Sequence, residues 1–169
     1  MERISRILSH QKYREHLKKI EVWEKDRVFC KHDKKHFLDV ARIAYILYLE
    51  EMSSHDSKYD TKAKVKEFLY AAGLLHDIGR WKEYEEGIEH HLASVQLAEP
   101  ILKDCSFSPE ETEQILSIIK THRKEVQEEK ESLSSIFYRA DKLSRECFWC
   151  PAEKECNWKK EKKNFRIQG

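Results

Sequence analysis

Helix-breaking residues are rare in this chain of 169 residues, which holds only 4 glycines and 3 prolines. The long segments between them can continue as helices without interruption. Apolar residues recur in these segments at spacings of three and four, the period of one helix face, and no segment alternates with the period of two that a half-buried strand requires. The sequence therefore predicts an all-α fold, a single-domain multi-helix bundle.

The apolar spacing also predicts where the helices lie. We expect them at about 2–22, 33–51, 61–76, 89–103, 108–122 and 132–147. The clearest start is that of the fifth helix, because Ser108 and Glu111 have the spacing of a capping box. The polar stretch 53–60 is predicted to be a loop, and the segment around Gly87 a short charged connection. The lysine-rich stretch 157–165 is predicted to be a solvated or frayed end.

Charge and hydropathy exclude several classes of protein. The 32 basic and 31 acidic residues leave a net charge of +1, which gives no footprint for binding nucleic acid or a membrane surface. No apolar stretch approaches the roughly 20 residues of a membrane-spanning helix, and the N-terminus lacks the apolar region of a secretion signal. We therefore expect a cytoplasmic protein whose five cysteines are reduced thiols or metal ligands rather than disulfides.

Polar side chains interrupt the apolar faces of five predicted helices. Each keeps a spacing of four or seven residues to its apolar neighbours, and together they are His36, His76, His90, His122 and Asp141. A buried polar group without a partner costs on the order of 1–3 kcal/mol, and an unpaired carboxylate costs more. A shared cation would satisfy all of them, and imidazole with carboxylate suits zinc, manganese, iron or nickel. The pattern therefore favours a metal site in the core.

The alternative is a set of ordinary core or boundary histidines, the usual role of a single histidine on an apolar face. We expect that role for His10, His16 and His55. Coincidence is a weaker explanation for four histidines and an aspartate on five helices. The stretch GLLHDIGR adds a second carboxylate, Asp77, directly after His76.

The order of these residues resembles that in the HD-domain superfamily of metal-dependent phosphohydrolases. The chain looks like a small bacterial stand-alone member of that superfamily. The matching stretches are HFLDVARIA (36–44), LLHDIG (74–79), HHLASVQLAEPIL (90–102), IIKTH (118–122) and RADKLSR (139–145). The resemblance implies an HD core at 28–146, preceded by a helical segment at 1–27 that packs on it. A cysteine-containing segment at 147–169 would complete the same domain.

The resemblance also implies the ligands of one or two divalent ions, which we expect to be manganese, iron, magnesium, nickel or zinc. The implied ligands of the first ion are His36, His76, Asp77 and Asp141. His90 and His122 would hold a second ion, with Asp77 bridging the two. His91 is the alternative to His90, but Ser94 favours His90 because the family has a small residue four positions after this histidine. His32 is expected beside the site or at the surface.

The implied reaction is hydrolysis of a phosphate ester or anhydride, with a nucleotide as the expected substrate and metal-activated water as the nucleophile. Asp77, Arg80, Arg123 and Lys142 are the candidate catalytic residues. The three basic ones adjoin implied ligands in the sequence, where they would neutralise phosphate, although ordinary surface charges are an equal alternative. A catalytically silent metal- or nucleotide-binding module and a di-iron HD-type oxygenase are the other candidate functions. A homodimer is left open.

Three of the cysteines, Cys147, Cys150 and Cys156, follow the last predicted helix with the spacing C-x2-C-x5-C. Three thiols so close together in a cytosolic chain suggest a metal more than a disulfide. The spacing resembles the last three ligands of the endonuclease III cluster. Cys105 lies apart from this set.

The fourth ligand is expected to be Cys30, six residues before His36, because Cys147 lies six residues after Asp141. Six helical residues span roughly 9 Å, so the two thiols would meet if their helices run antiparallel. The sequence thus suggests a second, structural metal site of zinc or an iron–sulfur cluster. Ordinary buried thiols that pin the C-terminal segment are the alternative.

Overall fold

The computed structural model describes residues 1–52, 61–123 and 132–167. Within these ranges the chain forms eight α-helices, three short 3-10 helices and no strand, which confirms the predicted all-α fold. The helices are α1 (Glu2–Ser9), α2 (Gln11–Trp23), α3 (Lys34–Met52), α4 (Lys62–Leu75), α5 (Arg80–Glu86), α6 (His90–Asp104), α7 (Pro109–Thr121) and α8 (Leu133–Leu143). The loop predicted at 53–60, with His55, lies outside the described residues.

Helices α3 and α4 form the centre of the bundle, where α3 also packs against α8 and α4 against α7. Their predicted apolar faces are buried: Val40 and Ala44 on α3 are 0% exposed, and so is Leu69 on α4. Helix α6 packs on α7 and α5. The capping box at Ser108 and Glu111 is present at the start of α7. No helix in the described ranges is both long enough and apolar enough to pass through a bilayer.

The predicted N-terminal helix is divided in two at His10. This residue is extended, with φ −64° and ψ 129°, so the chain changes direction between α1 and α2. Helix α1 packs against α4, whereas α2 packs against α5. Ile7 and Ile20 are both buried in the core, whereas Leu8 is 43% exposed.

The segment around Gly87 is not a simple connection, because most of it is the helix α5. The sequence RWKEYEE shows no apolar face, since Trp81 is its one buried residue. Helix α5 rests on α2 and α6 and ends at Gly87, whose φ of +69° gives a left-handed C-cap. This short helix carries Arg80 and Tyr84 toward His32 and Glu24, at one end of the bundle.

The lysine-rich C-terminal stretch is folded back onto the end of α8. Asn164 donates hydrogen bonds to the carbonyl oxygens of Lys142 at 2.7 Å and Arg145 at 3.0 Å. The Arg145 guanidinium lies 3.7 Å from the centre of the Trp158 ring. Residues 157–162 are exposed, as predicted for a solvated end, but the stretch is not frayed, because polar contacts hold it on the end of α8.

Helix α6 packs closely against Gly79, which lies between α4 and α5. A Cβ atom added there would lie 2.5 Å from the backbone nitrogen of Ser94 and 2.7 Å from the Cβ of Ala93. The Ser94 hydroxyl accepts a hydrogen bond from the Gly79 N–H at 2.9 Å. The Gly79 φ of −86° suits any residue, so space rather than conformational freedom demands glycine.

Replacing Gly79 with alanine is expected to lower the free energy of unfolding by about 1–3 kcal/mol, because the backbone of α6 must move to admit the methyl group. Urea unfolding followed by circular dichroism measures this change. Gly87→Asn is the matched control, since nothing lies within 4 Å of a Cβ at Gly87 and asparagine tolerates its positive φ. A wild-type midpoint for Gly79→Ala would show that the contact yields without cost.

Candidate metal centre

Six polar side chains meet at one end of the bundle. They lie at the start of α3 and α6 and at the end of α4, α7 and α8, and they are His36, His76, Asp77, His90, His122 and Asp141. In the described ranges their ligand atoms form two groups within 4.8 Å, of which His36, His76 and Asp141 are one and Asp77, His90 and His122 the other. The sequence pattern predicted this set, and the fold brings all of its members together.

The first group has the spacing of ligands around a single ion. The Nε2 atoms of His36 and His76 lie 3.3 Å apart. Asp141 Oδ1 lies 3.6 Å from the first of them and 4.0 Å from the second. Ligand atoms held about 2.1 Å from one metal stand about 3.0–3.4 Å apart at octahedral or tetrahedral angles. Small movements are enough to close this group on a cation.

Asp77 lies between the two groups, and each of its oxygens faces one of them. Oδ2 is 3.4 Å from His76 Nε2 and 3.8 Å from His36 Nε2. Oδ1 is 3.3 Å from His90 Nε2 and 3.6 Å from His122 Nε2. The residue is 2% exposed, and Oδ1 has no hydrogen-bond partner among the residues that the structure describes. A buried carboxylate oxygen without a donor is costly, so this site fits a cation.

Two of the histidines are oriented by the backbone of their own helices. The Nδ1–H of His76 donates to the Gly73 carbonyl at 2.9 Å, and that of His122 donates to the Ile119 carbonyl at 2.6 Å. Because each carbonyl can only accept, the proton lies on Nδ1 and the Nε2 lone pair is free. Burial lowers the pKa of His76 to about 3, so its ring is neutral at neutral pH, as metal binding requires.

Side chains orient the other two histidines. His90 Nδ1 lies 2.7 Å from a Glu83 carboxylate oxygen and 2.8 Å from Arg80 Nη1. Its pairing with Glu83 is the arrangement by which carboxylates fix metal-binding imidazoles. His36 Nδ1 lies 3.2 Å from the Ser144 hydroxyl, which itself donates to the Asp141 carbonyl at 2.8 Å. The hydroxyl therefore accepts from His36, and Nε2 is again left bare. Burial lowers the pKa of His90 to about 4.

Arg80 holds the centre together from the first turn of α5. Its guanidinium donates to Glu83 at 2.7 Å and lies 3.6 Å from Asp77 Oδ2. Burial alone would raise the pKa of Asp77, but the positive charge of Arg80 holds it well below its usual range. Asp77 is thus an anion whose charge is balanced by neighbours inside the bundle.

His32 belongs to the same cluster although it precedes α3. Its Nε2 accepts from Arg80 at 3.0 Å and lies 3.7 Å from Asp77 Oδ2. Its Nδ1 lies 2.5 Å from the carboxylate of Glu24, which also accepts from the His32 backbone N–H at 2.7 Å and from the Tyr84 hydroxyl at 2.6 Å. Glu24 is 3% exposed. Sequence reasoning placed His32 only near the site or at the surface and missed Glu24 and Tyr84.

Glu24→Gln is expected to lower the free energy of unfolding by about 2–3 kcal/mol near neutral pH. Burial alone would raise the pKa of Glu24, but its hydrogen bond with His32 lowers it to about 2, from 4.5. A carboxyl with a lowered folded pKa stabilises above its unfolded pKa, so the difference should shrink as pH falls from 4.5 toward 2.

Urea unfolding of both proteins at several pH values tests this expectation. Glu21→Gln is the control, since Glu21 is an exposed carboxylate on α2. A stability difference between wild type and Glu24→Gln that stays constant down to acidic pH would contradict the assigned network.

The two groups open onto a cavity of about 1020 Å³. Nine basic and six acidic side chains line it within the described part of the chain, and two of the acidic ones are Asp77 and Asp141. Lys142 donates a short hydrogen bond to Asp141 Oδ2, and the half-exposed Arg123 lies 3.6 Å from a Glu83 oxygen. Away from the proposed ligands, the cavity wall is mainly cationic.

Three other histidines in the described ranges lie apart from the centre. His91 is buried beside His90, but its Nε2 lies 3.4 Å from the Glu89 carboxylate and its ring centre 6.4 Å from that of His122. The geometry thus places His90, not His91, in the second group. His10 pairs with Asp104 at 3.2 Å, and the His16 ring stacks on Trp81 at 5.9 Å.

The four cysteines of the suggested second site are brought to one region but not into a closed set. Cys30, Cys150 and Cys156 line the same cavity as the metal centre. No three sulfur atoms lie within 4.8 Å of one another in the described ranges, which include every cysteine. Cys105 is 1% exposed in the apolar core, at the end of α6.

Comparison with known proteins places this geometry in a family. The HD domain family matches residues 34–146, which is more than half of the chain and includes all six clustered residues. An uncharacterized protein of Clostridium beijerinckii is 42% identical over 167 residues, which cover 99% of each chain. No solved structure matches the chain. The chain belongs to the HD-domain family, a superfamily of metal-dependent phosphohydrolases.

Proposed function

We propose that the protein is a phosphohydrolase that cleaves a phosphate ester or anhydride of a nucleotide. Asp77 carries this proposal, because its two oxygens face two separate groups of bare imidazole nitrogens and Oδ1 lacks a donor among the described residues. The proposed ligands of the first ion are His36, His76, Asp77 and Asp141. Those of the second ion are His90, His122 and the shared Asp77.

A divalent cation bound here would supply Lewis-acid chemistry. It would polarise a phosphoryl oxygen and lower the pKa of bound water, so that hydroxide is available as the nucleophile near neutral pH. The mixture of imidazole and carboxylate suits manganese, iron, nickel or zinc. The protein orients the four imidazole rings through contacts to the nitrogen that faces away from the ion. The Gly73 carbonyl contacts His76, the Glu83 carboxylate contacts His90 and the Ser144 hydroxyl contacts His36.

The basic side chains divide into two roles. Arg80 is engaged with Glu83, His32 and Asp77, so we assign it the positioning of Asp77 rather than direct phosphate contact. Lys142 and Arg123 line the cavity, and their side chains are 29% and 43% exposed, respectively. They are the proposed contacts of the phosphate oxygens, because ammonium and guanidinium groups bind such anions.

The shape and lining of the cavity support a nucleotide. Its volume of about 1020 Å³ is at the upper end of small-molecule sites, which hold roughly 300–1,000 Å³. Tyr138, Trp149 and Trp158 line the wall, and Trp149 is 77% exposed. Aromatic faces of this kind stack on nucleobases.

Phosphate release from a panel of substrates tests the proposal. Protein stripped with a chelator and reloaded with each candidate cation would be assayed on nucleoside mono-, di- and triphosphates, dinucleoside polyphosphates and a chromogenic phosphate ester. We expect cation-dependent hydrolysis of at least one class, abolished by chelation and restored by the cation. Metal-loaded protein that is inert on every phosphate would contradict hydrolysis.

The same samples separate the other candidate functions. Nucleotide binding without turnover, measured by calorimetry, would identify a catalytically silent binding module. Oxygen consumption by the iron-loaded protein without phosphate release would identify an oxygenase.

A further inference from the structure

The three C-terminal cysteines lie on a compact run of tight turns that follows α8. Cys147 begins the 3-10 helix Cys147–Trp149, and Cys150 caps it through a hydrogen bond from its N–H to the Cys147 carbonyl at 3.3 Å. Cys156 caps the next 3-10 helix, Glu153–Glu155, in the same way. Each thiol thus projects from a turn rather than from a helix face.

The antiparallel packing of α3 and α8 brings Cys30 to this segment. Glu51, near the end of α3, pairs with Arg139 in α8 at 2.5 Å, whereas Lys35, at the start of α3, pairs with Glu146 after α8 at 2.7 Å. The residues before α3 therefore face the residues after α8. The helices run antiparallel, as the sequence argument required, but residues 30–33 and 144–146 are not helical, so the helical span of six residues that it assumed does not apply. Cys30 lines the same cavity as Cys150 and Cys156.

Two cationic side chains, Arg145 and Lys163, lie near the thiols. Arg145 Nη1 is buried and has no hydrogen-bond partner among the described residues. Partial burial raises the pKa of the Cys30 thiol, which the charge of Arg145 lowers and the neighbouring Cys147 and Cys150 raise further. Lys163, whose side chain is 9% exposed, donates to the Glu153 carbonyl at 2.8 Å and pairs with the Glu153 carboxylate at 2.9 Å. Burial prevails at Cys30, whose thiol pKa is raised overall, so a metal bound by these cysteines would itself have to stabilise the thiolates, as a coordinated cation does.

Exposure argues against ordinary core packing of these thiols. Cys105 shows what a packed cysteine of this chain looks like, at 1% exposed in the apolar cluster. In contrast, Cys30 is exposed, and Cys147, Cys150 and Cys156 are half-buried. Half-exposed thiols gain little from apolar burial, so packing gives no reason for four of them at one place.

We propose that Cys30, Cys147, Cys150 and Cys156 bind a second metal through thiolates, as a zinc ion or an iron–sulfur cluster, in the wall of the cavity. The site pins the C-terminal segment across the residues before α3 and so completes the cavity beside the His/Asp centre. A zinc ion would draw the sulfur atoms to about 3.8 Å from one another, whereas a cluster holds its thiolates further apart. The turns, not the helices, would take up this movement.

Metal analysis of the full chain, purified without oxygen, tests the site. We expect the wild-type protein to carry metal with sulfur ligands at about 2.3 Å in its X-ray absorption spectrum. Iron together with acid-labile sulfide identifies a cluster, and zinc without sulfide identifies a single ion. Sulfur-free coordination in the wild-type protein would overturn the proposal, and this measurement needs no variant.

Variants locate the ligands. Cys147→Ser and Cys150→Ser are expected to lose the sulfur-bound metal and keep the metal held by nitrogen and oxygen. The matched control Cys105→Ser should keep both, since its thiol lies outside the site. Wild-type content of every metal in Cys147→Ser and Cys150→Ser would sink the assignment. If these variants do not fold, the wild-type absorption spectrum alone decides.

Discussion

Replacing Asp77 with asparagine is expected to lower phosphate release by on the order of 10³-fold, the loss of several kcal/mol of transition-state stabilisation. The amide side chain would present one oxygen where the wild-type carboxylate presents two, so only one of the two histidine groups could keep an oxygen ligand. The negative charge that balances Arg80 would also disappear. Metal content should fall together with activity, because Asp77 is the proposed ligand that the two groups share.

Asp39→Asn is the matched control, since Asp39 lines the same cavity but belongs to neither group. It carries the same change of charge and should keep wild-type metal content. Circular dichroism and thermal unfolding would show that Asp77→Asn is folded, which separates a lost ligand from a lost structure. Full activity in folded Asp77→Asn would contradict the central role of this carboxylate.

The sequence could predict those parts of the molecule that leave a periodic signal. Val40, Leu69 and Ile115 each belong to a row of apolar residues at helical spacing on its own helix. The three rows face one core, and all three residues are buried. The clustered polar residues were visible because His36 and Asp141 are polar residues that keep the helical spacing of their apolar neighbours. Helix periodicity alone thus supports the choice of candidate ligands, while their binding of metal stays a prediction.

The residues that surround the proposed ligands leave no periodic signal in the sequence. Glu24 is one of several charged residues in EVWEKDR, and only the packing of α2 on α5 brings it to His32 and Tyr84. Helix α5 itself has one apolar anchor, Trp81, too few for a pattern. These contacts join residues 8 to 60 positions apart, and no local rule relates them. Long-range polar pairing therefore had to come from the structure.

His90→Gln is expected to remove the ion of the second group and to lower activity by on the order of 10²-fold. His90 Nε2 lies 3.3 Å from Asp77 Oδ1, and its far nitrogen pairs with Glu83. Glutamine cannot satisfy both sides with the geometry of an imidazole. About half of the bound active-site metal should be lost, because the first group does not depend on this ring.

His91→Gln provides a closely matched control, because it makes the same chemical change one residue away on the same helix. The His91 ring is also buried, so a general disturbance of α6 would affect both variants alike. Retained metal and activity in His91→Gln, with loss in His90→Gln, assign the ligand to His90. Loss in His91→Gln alone would reverse the assignment. Equal loss of metal and activity in both variants, with a lowered unfolding temperature, would show that the substitutions act by destabilising α6. The hydrogen bond between Gly79 and Ser94 joins this helix to the segment that carries Asp77.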